Sequence, residues 1–136
     1  MSDAAEVIAR ARSVVGVRFR PQGRDPSTGL DCVGVVTRAF AIPAETCARD
    51  YRMRGEHLRQ MHRELSKRFC RVGDGCRAAA DILICAVRAD QMHLVIECDG
   101  SFIHADAGLR RVVETPGEPP WPIVATFRAP HLCQSS

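Results

Sequence analysis

The stretch MHLVIECDGSFIHAD, residues 92–106, decides the fold class of this chain. Two short apolar runs, 92–98 and 101–106, flank the dipeptide Asp99-Gly100, which is the strongest short-range signal for a two-residue β-hairpin turn. Other apolar runs of strand length lie on either side of this hairpin: ILICAV (82–87), LRRVVE (109–114) and PIVATF (122–127). The back half of the chain is therefore predicted to form an antiparallel sheet of about five strands.

The front half of the chain has helical periodicity instead. A first helix is predicted between a capping box, Asp3 with Glu6, and a stop at Gly16. Its apolar face consists of residues that recur at helical spacing: Ala4, Val7, Ile8, Ala11, Val14 and Val15. A later helix is predicted from a second such face: Leu58, Met61, Leu65 and Phe69. Helices followed by antiparallel strands define an α+β domain.

Length, charge and hydropathy exclude several classes of protein. The chain has 136 residues and a mass of 15.0 kDa, so we predict a single domain over residues 1–136. A formal net charge of +3 and an aromatic content of 5% argue against a nucleic-acid-binding protein. The N-terminus lacks the apolar core of a signal peptide, and no apolar run approaches the roughly 18 residues that span a bilayer. We therefore expect synthesis in the cytoplasm without a signal peptide, and no membrane insertion.

The cysteines do not predict a metal centre. The chain has seven of them, and no pair has the two-to-four-residue spacing of structural zinc sites. Six are interpreted as small buried hydrophobes or incidental free thiols. Cys32 is the exception because of the residues around it.

The hairpin register places two histidines together. A two-residue turn pairs Glu97 with Phe102 and therefore brings Val95 opposite His104. His93 and His104 then share one face as diagonal neighbours, about 7–8 Å apart at the backbone. Asp106 lies across from His93 on the same face. On hairpin geometry alone, the two imidazoles are either ordinary solvent-facing or satisfied histidines, or members of a functional site.

Cys32 lies in the segment LDCVGVVTRAF, residues 30–40, whose apolar pattern fits either a helix or a buried strand. Asp31 has the character of a helix N-cap, which would put Cys32 in the first turn, where the helix dipole favours a thiolate. A cysteine followed far downstream by two histidines on one sheet face has the nucleophile, base and orienter logic of acyl-transfer enzymes.

Three motifs in this order resemble the NlpC-type cell-wall peptidases, a papain-like family. VGVRFRPQGRDPSTGLDCVGVV (15–36) is similar to their nucleophile region, with its aromatic-Arg pair, Gly-rich loop and Asp-Cys step. RAAADILIC (77–85) resembles the entry to their first long strand, and HLVIECDGSFIHAD (93–106) resembles their histidine hairpin. The resemblance covers nearly the whole chain.

The resemblance implies a papain-like fold and a hydrolase that cleaves amide bonds next to D-amino acids in peptidoglycan stem peptides, commonly the γ-D-glutamyl bond to a diamino acid. It implies Cys32 as the nucleophile, His93 as the general base and acid, and His104 as the residue that orients His93. Asp31, Phe19 and Val33 would line the substrate pocket, and no cofactor is needed. Phe19 stands where the family commonly has Tyr, and Val33 where it has Ser, so two hydroxyl groups are missing.

Two alternatives share this fold. The missing hydroxyls favour a non-catalytic interaction module, and a thiol acyltransferase or an amidase on another substrate would use the same chemistry. A cell-wall hydrolase without an export signal also needs delivery. By analogy with the family, we expect delivery by a phage-like tail, a gene transfer agent or a similar particle, with phage-like tail proteins as partners. A sequence that is a piece of a longer protein, without its own signal or binding domain, would explain the same absence.

Overall fold

The computed structural model describes residues 3–43, 57–73, 75–88 and 91–133. The helices are α1 (Ala4–Ser13), α2 (Cys32–Ala39), α3 (His57–Ser66) and α4 (Pro130–Cys133). The strands are β1 (Arg24–Asp25), β2 (Gly29–Leu30), β3 (Cys70–Val72), β4 (Ile82–Arg88), β5 (Gln91–Glu97), β6 (Ser101–Asp106), β7 (Arg111–Pro116) and β8 (Ile123–Arg128).

The described strands form one six-stranded antiparallel sheet and one small ribbon. The sheet has the order β3-β8-β4-β5-β6-β7, and β1 pairs with β2. The predicted α+β class is therefore confirmed. The sheet contains one strand more than expected because β3 adds to its edge by pairing with β8, for example Cys70 with Arg128. That strand is only three residues long, too short for an alternating pattern to reveal it.

The predicted hairpin forms with the predicted register at its turn, whereas the predicted pairs of Val95 with His104 and of His93 with Asp106 are not part of the ladder. Glu97 lies opposite Phe102, and the backbone N–H of Cys98 donates to the carbonyl of Ser101 at 2.9 Å. Both turn residues, Asp99 and Gly100, have positive φ angles, of 57° and 99°. Positive φ at both central positions is the type I′ geometry that matches the twist of two antiparallel strands.

The β5–β6 ladder is short. Its Cα partners are Ile96 with Ile103 and Glu97 with Phe102, and no further ladder pair joins the two strands within the described residues. The N–H of Cys98, the residue after β5, donates to Ser101 at the start of β6. Every second N–H of a strand points to the same side, so the Leu94 N–H also points toward β6, into the gap where the pairing has stopped. The opening lies beside α2, which contacts both strands.

Helix α2 resolves the ambiguous segment in favour of a helix. The Asp31 side chain caps it by accepting from the Gly34 N–H at 2.8 Å. Its apolar residues Val35 and Val36 are buried in the main core, together with residues from α1 and from the inner face of the sheet. Helix α1 ends at Ser13, three residues before Gly16, whose φ of 95° then redirects the chain.

The later helix, α3, buries Met61 and Leu65 in the main core, as predicted. It ends at Ser66, so Phe69, which is also buried, follows the helix instead of lying on its face. The side chain of Leu58 lies outside the described part of the chain. None of the described helices is long and apolar enough to cross a membrane.

The cysteines differ in one respect from the sequence interpretation. Cys85 and Cys98 are buried free thiols, as expected, and Cys76 is an exposed free thiol. Cys70, however, is disulfide-bonded, so its interpretation as a free thiol was wrong. Disulfide pairing depends on Cα–Cα distances that sequence spacing does not define.

Gly34→Ala is expected to destabilise the protein by about 1–3 kcal/mol, the usual cost of overpacking. A Cβ at position 34 would collide with the backbone carbonyl oxygen of Gly23, which has no flexible end that can move aside. Urea unfolding followed by circular dichroism measures the change. Gly73→Ala is the matched control, because no atom lies within 4 Å of its added Cβ and its backbone is not in the left-handed region. Equal stability of Gly34→Ala and the wild type would contradict the close packing of α2 on the loop.

Candidate active site

Cys32 is the first residue of α2 and is 3% exposed. It follows Asp31, whose carboxylate accepts hydrogen bonds from the Gln22 N–H at 3.0 Å and from the Arg24 guanidinium at 2.7 Å, besides capping the helix. This network ties the loop before α2 to the start of the helix. It fixes the Cys32 backbone at the N-terminal end of α2, where the first N–H groups have no acceptor within the helix.

His93 and His104 are in direct contact. His93 Nε2 lies 2.8 Å from His104 Nδ1, so one of these two nitrogens carries the shared proton. This contact leaves His93 Nδ1 available for another partner. The two rings are on the same face of the hairpin, as the register predicted, and their planes meet at 86°.

One cavity of about 400 Å³ joins the two parts of the site. Cys32 packs with the core on the helix side of the sheet, whereas the strand alternation turns His93 and His104 to the other side. They meet because the cavity lies at the opening between β5 and β6, and Cys32, His93 and His104 all line it. Phe19 and Asp31 also line this cavity.

Val33 does not line the cavity, in contrast to its predicted place in the substrate pocket. It is half-buried and packs against the main core. A helix turns by about 100° per residue, so the residue after Cys32 points away from the side on which Cys32 faces the cavity. Asp31 does line the cavity, but its carboxylate already accepts three hydrogen bonds within the protein.

Both histidines are held in the neutral form at neutral pH. Burial and, to a smaller extent, the neighbouring His104 lower the pKa of His93 to about 4, although the Asp106 carboxylate opposes this. Burial also lowers the pKa of His104. A neutral imidazole at position 93 can accept a proton, as a general base requires.

The Cys32 thiol differs from the expectation of an activated thiolate. Burial, and then the negative charge of Asp31, raise its pKa to about 12, whereas hydrogen bonding from the Leu94 N–H opposes the rise. Desolvation therefore outweighs the helix dipole at Cys32. The resting cavity is therefore lined by a neutral thiol and a neutral imidazole, so nucleophilic attack needs a base that removes the thiol proton during the reaction.

Trp121 is the site residue that sequence reasoning missed. Its ring lies 5.7 Å from the His93 ring and 5.4 Å from the His104 ring, between centroids, and it lines the same cavity. It comes from the loop between β7 and β8, which the sequence marks only as turn-rich. A single tryptophan in a proline-rich turn, TPGEPPW (115–121), was the available signal.

The buried neutral His93 predicts a loss of stability in acid. An unfolded histidine takes up a proton near pH 6.5, whereas His93 in the folded protein does so only near pH 4. The unfolded state therefore binds more protons in this window, and the free energy of unfolding falls by about 3 kcal/mol as the pH drops from 7 to 4. Urea unfolding at several pH values measures the fall. His93→Gln is the control, and an equal fall in this variant would contradict the low pKa.

Comparison with solved structures identifies the fold. NlpC1 from Trichomonas vaginalis superposes with a TM-score of 0.68 at 15% identity, over 94% of this chain and 44% of that protein. The NlpC/p60 domain of the peptidoglycan hydrolase SagA gives a TM-score of 0.59 at 20% identity, over 85% of this chain and 90% of that one. RipD from Mycobacterium tuberculosis, described as a non-catalytic NlpC/p60 domain protein adapted to peptidoglycan binding, gives 0.58 at 15% identity, over 94% and 98%.

The chain therefore has the papain-like fold of NlpC/p60 domains, which confirms the fold that the three motifs implied. It spans less than half the length of NlpC1 from Trichomonas vaginalis. No protein-family model and no curated protein matches the sequence.

Within the described ranges, no group of three or more His, Cys, Asp or Glu side chains is placed to hold a metal ion.

Proposed function

We propose that this protein is a cysteine-type amide hydrolase that acts on peptidoglycan stem peptides. The observation that carries the proposal is the cavity in which a cysteine at a helix N-terminus meets a hydrogen-bonded histidine pair. The fold that the protein shares with the SagA domain supports peptidoglycan as the substrate. The bond between D-glutamate and the diamino acid is the proposed site of cleavage.

In the proposed reaction, His93 removes the Cys32 proton as the sulfur attacks the scissile carbonyl. The negative charge that develops on the carbonyl oxygen is stabilised by backbone N–H groups in the first turn of α2, where the Gly34 N–H is already used by Asp31. The protonated His93 then gives its proton to the leaving amine. Water, deprotonated by His93, hydrolyses the thioester and restores the Cys32 thiol.

His104 has a positioning role in this mechanism. Its Nδ1 lies 2.8 Å from His93 Nε2, which fixes the His93 ring and leaves the opposite nitrogen for the reaction. Asp106 assists from the same side, because its charge favours the protonated form of both histidines and so stabilises the imidazolium that forms during the reaction.

Digestion of purified sacculi, followed by mass spectrometry of the released peptides, tests the proposal. We expect the wild type to release fragments with a new amino terminus at the diamino acid, and Cys32→Ala to release none. Identical fragments from both proteins, or none from the wild type on sacculi that another hydrolase cleaves, would reject it.

A second candidate function is peptidoglycan binding without cleavage. The raised thiol pKa of Cys32 favours it, since a protonated thiol is a weak nucleophile. RipD also shows that the fold occurs in a non-catalytic protein. Co-sedimentation with sacculi in the absence of released peptides would support this function. Delivery to the wall by a phage-like particle stays a prediction from the sequence.

A further inference from the structure

A second cavity, of about 680 Å³, lies next to the catalytic one and is rich in arginine. The two cavities share Phe19, Pro21 and Ala107 in their linings, so they lie side by side along one surface. The second cavity is also lined by three exposed arginines, Arg18, Arg110 and Arg111.

The backbone around these arginines is firmly held. Arg18 lies opposite Arg111 in an antiparallel bridge, and the Phe19 N–H donates to the Arg110 carbonyl at 2.9 Å. The Val112 N–H donates to the Val17 carbonyl at 2.8 Å. Two segments distant in sequence are thereby locked together, and both present arginines to the same cavity.

This arrangement costs stability. Like charges directly opposite each other on neighbouring strands repel, as Arg18 and Arg111 do. Arg110 adds backbone strain, since its φ of 62° lies in the left-handed region.

Among the residues that the structure describes, no carboxylate compensates for these charges. In the part of the chain that the structure describes, none of the three guanidinium groups forms an ion pair. Of the nearby carboxylates, Asp106 accepts from the Gly108 and Leu109 N–H groups, and Glu114 pairs with Arg12. The arginines are therefore open to an anion from outside the protein.

We propose that the arginine cavity, defined by Arg18, Arg110 and Arg111, binds a carboxylate of the stem peptide whose scissile amide lies at Cys32. Guanidinium groups bind carboxylates through two parallel hydrogen bonds, which gives orientation as well as affinity. The inference rests on the proposed function for its substrate. It makes the three arginines specificity-determining residues, selective for stem peptides with free rather than amidated carboxyl groups.

Binding measured without turnover tests the inference. The Cys32→Ala protein is titrated by calorimetry with a synthetic stem peptide with free carboxylates, and with the same peptide in which each carboxylate is a carboxamide. We expect the free form to bind roughly tenfold tighter or more. Adding Arg110→Gln and Arg111→Gln removes this difference. Arg59→Gln with Arg63→Gln on α3 is the matched control, with the same change in net charge at exposed positions away from the cavity.

Equal affinity for the two peptides, no binding of either, or a preference that survives in the Arg110/Arg111 variant would overturn the inference. An equal loss of the preference in the Arg59/Arg63 control would also overturn it, because it would show that the preference depends only on the net charge of the protein. The two proposals can fail separately. If the wild type digests sacculi but the Cys32→Ala protein binds both peptides equally, only the arginine proposal is wrong. If the free peptide binds more tightly but the wild type digests no sacculi, only the hydrolase proposal is wrong.

Discussion

Cys32→Ala is expected to lower kcat/KM for stem-peptide hydrolysis by about 10⁴-fold or more, because the variant has no nucleophile to form the thioester. The side chain is small and buried, so the fold should survive with a loss of about 1 kcal/mol in the free energy of unfolding. Peptide cleavage followed by chromatography measures the rate, and urea unfolding measures the stability.

Cys98→Ala is the matched control for this variant. Cys98 is also a buried free thiol, with a pKa that burial raises to about 11, but it does not line the catalytic cavity. We expect this variant to retain nearly full activity with a similar loss of stability. Should Cys32→Ala keep more than a tenth of the wild-type rate, the thioester mechanism would be wrong.

The histidine pair could be predicted from the sequence because one short turn defines its register. Asp99-Gly100 sets Glu97 opposite Phe102, and the two-residue period of the strands then puts His93 and His104 on one face. The helix cap at Asp31 could be predicted for the same reason, because it depends only on residues within the first turn of α2. Each of these features depends on residues within one turn or one hairpin.

The remaining features of the site arise from tertiary packing and had no local signal. The raised pKa of Cys32 follows from burial against β5, which a helix-dipole argument does not include. Trp121 reaches the histidines from a turn-rich loop, and the arginine cavity combines Arg18 with a turn about ninety residues later. Val33 was placed in the pocket by resemblance alone, and the rotation of α2 turns it away.

His93→Ala is expected to lower kcat/KM by about 10³-fold or more, since both proton transfers are lost. His104→Ala is expected to cost less, about 100-fold, because it disturbs only the orientation of His93. The two variants separate the general base from its positioning residue. The same peptide assay, run for both variants at saturating and limiting substrate, measures the losses.

The pH dependence of His104→Ala distinguishes positioning from a merely structural role. His104 is one of the two causes that lower the pKa of His93 to about 4, so its removal should raise that pKa toward 6.5. Activity needs neutral His93, and its acid limb should therefore move from near pH 4 in the wild type to a higher pH in the variant. His62→Ala is the control, because His62 packs on Phe127, outside the cavity. An unmoved acid limb in His104→Ala, or a loss as large as that of His93→Ala, would mean that the roles of the two histidines are assigned wrongly.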